Sequence, residues 1–513
     1  MDRRQFLATS MATSAKAALP ATLGLGLGLG LAVNSAPARA DALTLKRFHD
    51  ALKTDPQLVV YADTGGTQSG AAALKGRIPA DLNGVFFRNG PGRFELGGER
   101  AHHWFDGDGF AQRWQIAGGK VSHIGKFVAT QKFSEESSAG QFLYSGFGTY
   151  VERRGAKTND AMNAANTNLL PFNDRLYALW EGGSATEVDP ATLDTIGIKT
   201  WSPELKSMPF SAHPKRDPDG GLWNFGALPG GNRLALYRIG ADGQLRSSAV
   251  IAVPKVAMVH DFVVSARHLI FLIPPYDVLE QDGASFAERH HWAGSGPQAR
   301  PLRVVVVSKQ TLQVRSIFEL PPHMVFHFGN AFEDGASTRF DVVLHQGDAL
   351  DAISGLMHGV RPSNSPARSF AAQITLDYAS GQARMARLFG ASEFPRVMPQ
   401  VVGARHRRLA LLSSSPGKQS LILDTVNLVD TDSGKADSYR FDAGWVAEEH
   451  ILVPRANARS ETDGYLVGVA QDTRRAESVL TVFDAAKLQA GPVALARLPY
   501  RTPHCFHGNF LPA

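Results

Sequence analysis

The sequence predicts an all-β protein and, within that class, a β-propeller. Short strands follow one another along the chain: "DRLYALWEGG", "NRLALYRIGADGQL", "RHLIFLIPP", "LRVVVVSKQTLQVRSIFEL", "TRFDVVLHQG" and "DGYLVGVAQD". Each sets a Val, Leu, Ile, Phe or Tyr-rich run between Gly, Asp, Asn or Pro, the punctuation of sheets rather than helices. The turns repeat a theme, with Asp after a strand and Leu near the next turn in "EVDPATLDTIG" and "TVFDAAKLQAGPVA". Serial meanders of this kind over 513 residues fit a propeller better than two sandwiches. No fixed-period repeat of the WD type is present.

Residues 1–40 read as an export signal. Arg3 and Arg4 precede a Gly-diluted apolar run, "AALPATLGLGLGLGLAV", and "APARA" ends in small residues before Asp41. Paired arginines, an apolar stretch and an A-x-A site make a removable address of the twin-arginine type, carrying a folded protein to the periplasm or beyond. "LKRFHDALKTDP" predicts one short helix, and strands follow. Several alternate, as in Arg233-Leu234-Ala235-Leu236-Tyr237-Arg238, which predicts one face on a core and one in water. Residues 154–170, 287–301 and 358–369 read as long connections, and "DGDGF" (106–110) as a tight turn with glycines at positive φ. None of these stretches separates regions of different composition, so 41–513 reads as a single catalytic domain.

Charge and cysteine content narrow the chemistry. The four cations and one anion of residues 1–40 account for +3 of the chain's +5, leaving +2 for the remainder. Without a basic block, nucleic acid is not an expected partner. One cysteine, Cys505, cannot form an intramolecular disulfide or a multi-thiolate zinc site. Any metal must be held by nitrogen and oxygen. Of 17 histidines, four stand at the edges of apolar strands beside turn residues: His213, His260, His327 and His507. Neutral imidazoles suit iron, zinc, copper or nickel. Ligating imidazoles give their second N–H to a carboxylate. Glu181, Glu393 and Glu449 fit that role, each beside large apolar side chains where an unpaired carboxylate is costly. Positions this far apart in sequence can meet only where a fold gathers them, as at a propeller axis.

An ordered set of motifs now becomes specific. "LKGRIPADLNGVFFRNGPGRFELGGERAHHWFDGDGF", "ANTNLL", "LWEGG", "AHPKRDP", "VHDF", "FHFGNAFE", "EFPRV", "ILVPR" and "LPYRTPHCFHGNF" together resemble the carotenoid cleavage oxygenase family over about 68–513. The resemblance implies a seven-bladed β-propeller with an axial metal site and helices or loops capping one face. It implies one non-haem Fe(II) per chain on His213, His260, His327 and His507, with Glu181, Glu393 and Glu449 each orienting one imidazole. It places Thr167 near the open side of the iron. The implied reaction adds O2 across a carbon–carbon double bond of a hydrophobic conjugated substrate, giving two carbonyl products.

One position bears on the substrate. Where stilbene-cleaving members carry a lysine for the substrate phenol, this chain has Trp180, which favours a carotenoid or apocarotenoid over a stilbene. Phe172, Trp223 and Phe328 are candidate aromatic lining for a polyene. Residues 269–294 mix apolar and cationic groups that could give peripheral membrane contact. A metal hydrolase and a non-catalytic polyene-binding propeller are the competing classes. At the C-terminus, His504 reads as a turn or surface residue and Cys505 as a small buried side chain.

Overall fold

A computed structural model describes residues 39–228, 231–360, 369–415 and 422–513. The export-signal reading falls almost wholly on 1–38, outside the described residues, as does 361–368 of the third long connection.

Seven antiparallel sheets of four or five strands are arranged in chain order as the blades of a propeller. The innermost strands of blades two to seven begin at Asn168, Lys215, Val263, Met324, Ser392 and Trp445. Blade one is assembled from both ends of the chain. His507–Pro512 is its innermost strand, paired with Gly84–Arg93 so that His507 faces Asn89 and Pro512 faces Gly84. At the rim, Gln68–Ala71 edges blade one while Ala73–Gly76 edges blade seven by pairing with Ala494–Arg497. The seam is thus tied twice, inside by the C-terminus and outside by two short N-terminal strands.

Blade packing explains why the strands are so apolar. Leu234 and Leu236 pack with blade four, whereas Ala235 and Tyr237 pack with blade two. Both faces are buried, so the predicted water-facing side of this strand is not found. A blade stacked between two others needs hydrophobic residues on both faces. The same packing relocates three candidate lining residues. Phe172 lies between blades two and three, Trp223 between three and four, and Phe328 between four and five.

One predicted helix is found at Ala42–Thr54, its first turn capped by Asp41 accepting from the Thr44 N–H at 2.6 Å. Gln131–Ala139 and Leu350–Met357 are further helices that the strand reading missed. The first and last of these belong to a cap rich in aromatic side chains that includes Phe48, Tyr61, Trp104, Phe326 and Phe506. The hairpin Tyr276–Val278 and His290–Trp292 joins the same cap, so 287–301 is not a plain connection.

"DGDGF" is not a positive-φ turn. Asp108 opens a strand, and the glycines serve close approach instead. A Cβ on Gly109 would stand 2.1 Å from the Ala165 carbonyl oxygen. The backbone cannot retreat, since the Gly109 N–H donates to the Ala164 carbonyl at 2.8 Å and its own carbonyl accepts from the Val128 N–H at 2.9 Å. Gly109→Ala is therefore expected to destabilise the fold by about 3 kcal/mol, the upper end for overpacking. Urea unfolding measures this, and an unchanged midpoint would contradict the close approach.

Candidate metal centre

Four imidazoles converge near the propeller axis. One ring nitrogen from each of His213, His260, His327 and His507 lies within 4.8 Å of the others. Two come from the entrances to inner strands, His213 before Lys215–Arg216 and His260 before Val263–Val264. His327 lies within the inner strand of blade five, and His507 opens the closing strand.

Local backbone irregularity aims several of these groups. The ladder slips between Val325 and Phe328, between Glu393 and Arg396, and between Ala447 and His450. His327 and Glu449 lie inside two of those bulges, and Glu393 is the last paired residue before the third, opposite Leu412; extra residues there re-aim side chains out of the regular pleat. Phe394, next to Glu393, adopts φ 55°, a left-handed conformation rare for a bulky residue. That bend lets its N–H donate to Glu393 Oε2 at 2.7 Å while its ring stacks on His327 at 5.2 Å.

The three predicted carboxylates each engage one of the four converging imidazoles. His260 Nδ1 lies 2.5 Å from Glu181 Oε2, His327 Nδ1 2.6 Å from Glu393 Oε2, and His507 Nδ1 2.9 Å from Glu449 Oε1. An ionised carboxylate only accepts, so Nδ1 carries the proton and Nε2 presents a bare lone pair. His213 differs. Its Nδ1 is 3.9 Å from Asp261 Oδ1, which is occupied by Lys215 at 2.7 Å.

His327 and His507, both protonated on Nδ1, turn bare Nε2 lone pairs toward each other, an arrangement that a cation between them relieves. His213 Nε2 and His260 Nε2 are 2.9 Å apart, and His327 Nε2 and His507 Nε2 are 3.2 Å apart. Nitrogens bound about 2.1 Å from one metal and at right angles would be separated by about 3 Å, so the residues fit a metal ion. Burial, reinforced by the neighbouring histidines, pushes His213 well below the ordinary imidazole range. Burial likewise pushes His507 down to about 4, partly offset by Glu449. Neutral imidazoles are the form a metal needs. Burial favours the protonated forms of Glu393 and Glu449, but His327 and Arg396 respectively lead the opposing effects and hold both well below the carboxylate range.

Sequence reasoning missed several supporting groups. Arg396, within the "EFPRV" motif, grips Glu449 through Nε at 2.9 Å and Nη2 at 3.1 Å. A divalent ion, three carboxylates and this guanidinium sum to zero charge. Asn168 donates to the Ala212 carbonyl beside His213 at 2.8 Å and accepts from Asn509 at 3.0 Å, joining blade two to the closing strand. Phe326 lies over His260 at 5.8 Å and leads into the aromatic cap through Phe105 at 6.1 Å.

Thr167 is buried at the start of blade two, its hydroxyl donating to Asn166 Oδ1 at 3.1 Å. Trp180 is partly buried on the turn before Glu181, its ring so close that a Cβ on Gly182 would stand 2.5 Å from it. Trp180 belongs to none of the inter-blade clusters. His504 is not a surface residue: it is buried and stacked on Trp104 at 5.0 Å, because the chain crosses the cap before entering blade one. Cys505 is buried as expected, its sulfur accepting from Gln112 at 2.9 Å.

Seven blades around carboxylate-backed imidazoles define a propeller metalloenzyme. The family profile of retinal pigment epithelial membrane protein matches residues 63–512. The apocarotenoid-15,15'-oxygenase of Synechocystis sp. is 30% identical over 456 residues, spanning 85% of this chain and 92% of that one. Lignostilbene-alpha,beta-dioxygenase isozyme III of Sphingomonas paucimobilis is 29% identical over 477 residues, spanning 86% and 93%. The solved structure of cobalt-substituted Synechocystis apocarotenoid oxygenase superposes with a TM-score of 0.81 at 26% identity, covering 89% of this chain and 98% of that one. The chain belongs to this carotenoid oxygenase family.

Glu449→Gln should weaken metal retention about 10–100-fold, the usual effect of removing a ligand's carboxylate partner. It should also cost about 2–3 kcal/mol, less than a fully buried pair because Arg396 is partly exposed. Metal analysis after dialysis and thermal melting measure the two effects.

Proposed function

We propose that the protein is an iron(II)-dependent dioxygenase that cleaves one carbon–carbon double bond of an apocarotenoid or carotenoid. The carrying observation is the four-imidazole centre, backed by three carboxylates and roofed by aromatic side chains. One iron per chain, held by His213, His260, His327 and His507, supplies the activation of O2. Both oxygen atoms enter the products: R–CH=CH–R′ and O2 give R–CHO and R′–CHO, with no other oxidant.

The chain's own residues position and shield. Glu181, Glu393 and Glu449 hold the Nδ1 protons, so the three Nε2 atoms stay directed at the metal. Phe326, Phe105 and Phe506 form part of an apolar layer that suits a conjugated hydrocarbon and excludes water from the centre. Trp180 and Thr167 are assigned to the substrate and oxygen side. Trp180 cannot pair with a phenolate as a lysine can, which favours a polyene. The second reading, stilbene cleavage, is supported by the similarity to the lignostilbene enzyme.

Residues 1–40 are assigned as a twin-arginine signal engaging that export machinery, with cleavage at Ala40 and a periplasmic product. Any membrane contact is peripheral. Among the described residues no helix is long and apolar enough to cross a bilayer.

Iron-loaded protein incubated with apocarotenals and with hydroxystilbenes is expected to consume one O2 per apocarotenal cleaved, with product masses locating the bond. His327→Ala is expected to lose both iron and turnover. Turnover of hydroxystilbenes alone would overturn the use of Trp180, and bound zinc without oxygen uptake would overturn the oxygenase reading. N-terminal sequencing of exported protein should begin at Asp41.

A further inference from the structure

We propose that His345 is a positioning residue for the metal centre, holding Glu393 in the orientation from which that carboxylate grips His327. The proposal rests on the reading of the four histidines as metal ligands. His345 ends the strand Ser337–His345, next to the inner strand of blade five. Its Nε2 donates to Glu393 Oε1 at 2.6 Å, while Glu393 Oε2 accepts from His327 Nδ1, also at 2.6 Å. One carboxylate from blade six thus bridges two imidazoles of blade five.

The terminal torsion of a glutamate is soft and broad. A single hydrogen bond to His327, even with the Phe394 N–H on the same oxygen, leaves the other oxygen unanchored. His345 supplies that second point. Its own ring is held edge-on against Phe326 at 5.2 Å, so the anchor is packed as well as bonded.

The other two carboxylates show how different the alternatives are. Glu449 is fixed on both oxygens by Arg396 and on one by the Gly508 N–H at 2.9 Å. Glu181, with a quarter of its side chain exposed, has no second side-chain or backbone donor among the described residues. The three imidazoles are therefore backed by carboxylates of which one is anchored by a cation, one by a second imidazole and one by no further donor among the described residues. The Nδ1–oxygen distances are 2.9, 2.6 and 2.5 Å in that order.

The test uses the full chain loaded with cobalt(II), whose visible absorption reports ligand geometry and whose release to a chelator reports affinity. His345→Leu is expected to release cobalt about tenfold faster or more and to shift the visible band. His345→Gln, which keeps an N–H at the same reach, should stay within about twofold of the parent, well short of that loss. In a Glu393→Ala background, His345→Leu should add no further loss, because its route to the metal is gone. Should His345→Leu fail to fold, His345→Asn, whose amide stops short of Glu393, is expected to show the same acceleration. Parent-like release from the Leu or Asn variant, or an undiminished effect without Glu393, would overturn the proposal. A parent chain that takes up no cobalt would overturn the ligand reading and this inference together.

Discussion

The pairing of His507–Pro512 with Gly84–Arg93 is the contact on which the other features depend. It closes the ring, and it does so with a strand whose first residue is one of the four converging imidazoles. A propeller open at this seam would have an exposed strand edge and three imidazoles in place of four. The same segment brings Gly508, which donates to Glu449, and Asn509, which bonds to Asn168 in blade two. Folding and metal-site assembly are thereby coupled through a few residues at the chain's end. The rim strands Gln68–Ala71 and Ala73–Gly76 reinforce the seam from outside.

Within the closed ring, regular sheet geometry carries the stability and irregular geometry carries the site. Inter-blade faces are filled by alternating Val, Leu, Ile and Phe, with little room for polar groups. The ladder breaks at His327 and Glu449 and directly after Glu393. The left-handed Phe394 belongs to the same pattern, a backbone cost accepted where both its N–H and its ring serve the centre. Charge follows a similar economy. Three buried or partly buried carboxylates would be prohibitive alone. Opposite Arg396 and the divalent ion that the four imidazoles would hold, they would become a neutral assembly in an apolar surround.

Much of this was legible in the sequence. The strand grammar marked a sheet protein, and the four histidines and three glutamates stood out as polar groups on apolar strands. The four imidazoles converge and the three carboxylates each back one of them, leaving His213 without such a partner. What periodicity could not disclose was anything set by the third dimension. Phe172, Trp223 and Phe328 look like pocket aromatics in a one-dimensional reading but fill blade interfaces, while Phe326, one residue from His327, roofs the site. His345 gave no signal and Arg396 only its place in "EFPRV", because their importance lies in a carboxylate reached across strands. The glycines of "DGDGF" were recognisable as necessary, but the neighbour that forbids a side chain, Ala165, is distant in sequence. His504 appeared peripheral only because the cap that buries it is built from other parts of the chain.

Closure of the ring gathers four imidazoles into one site, for which iron is the proposed occupant. Anomalous diffraction at the iron absorption edge, from crystals of protein purified with its native metal, tests it most directly. One iron peak per chain is expected, within coordination distance of Nε2 of His213, His260, His327 and His507. Iron absent from that position, or bound there by fewer than these four nitrogens, would contradict it.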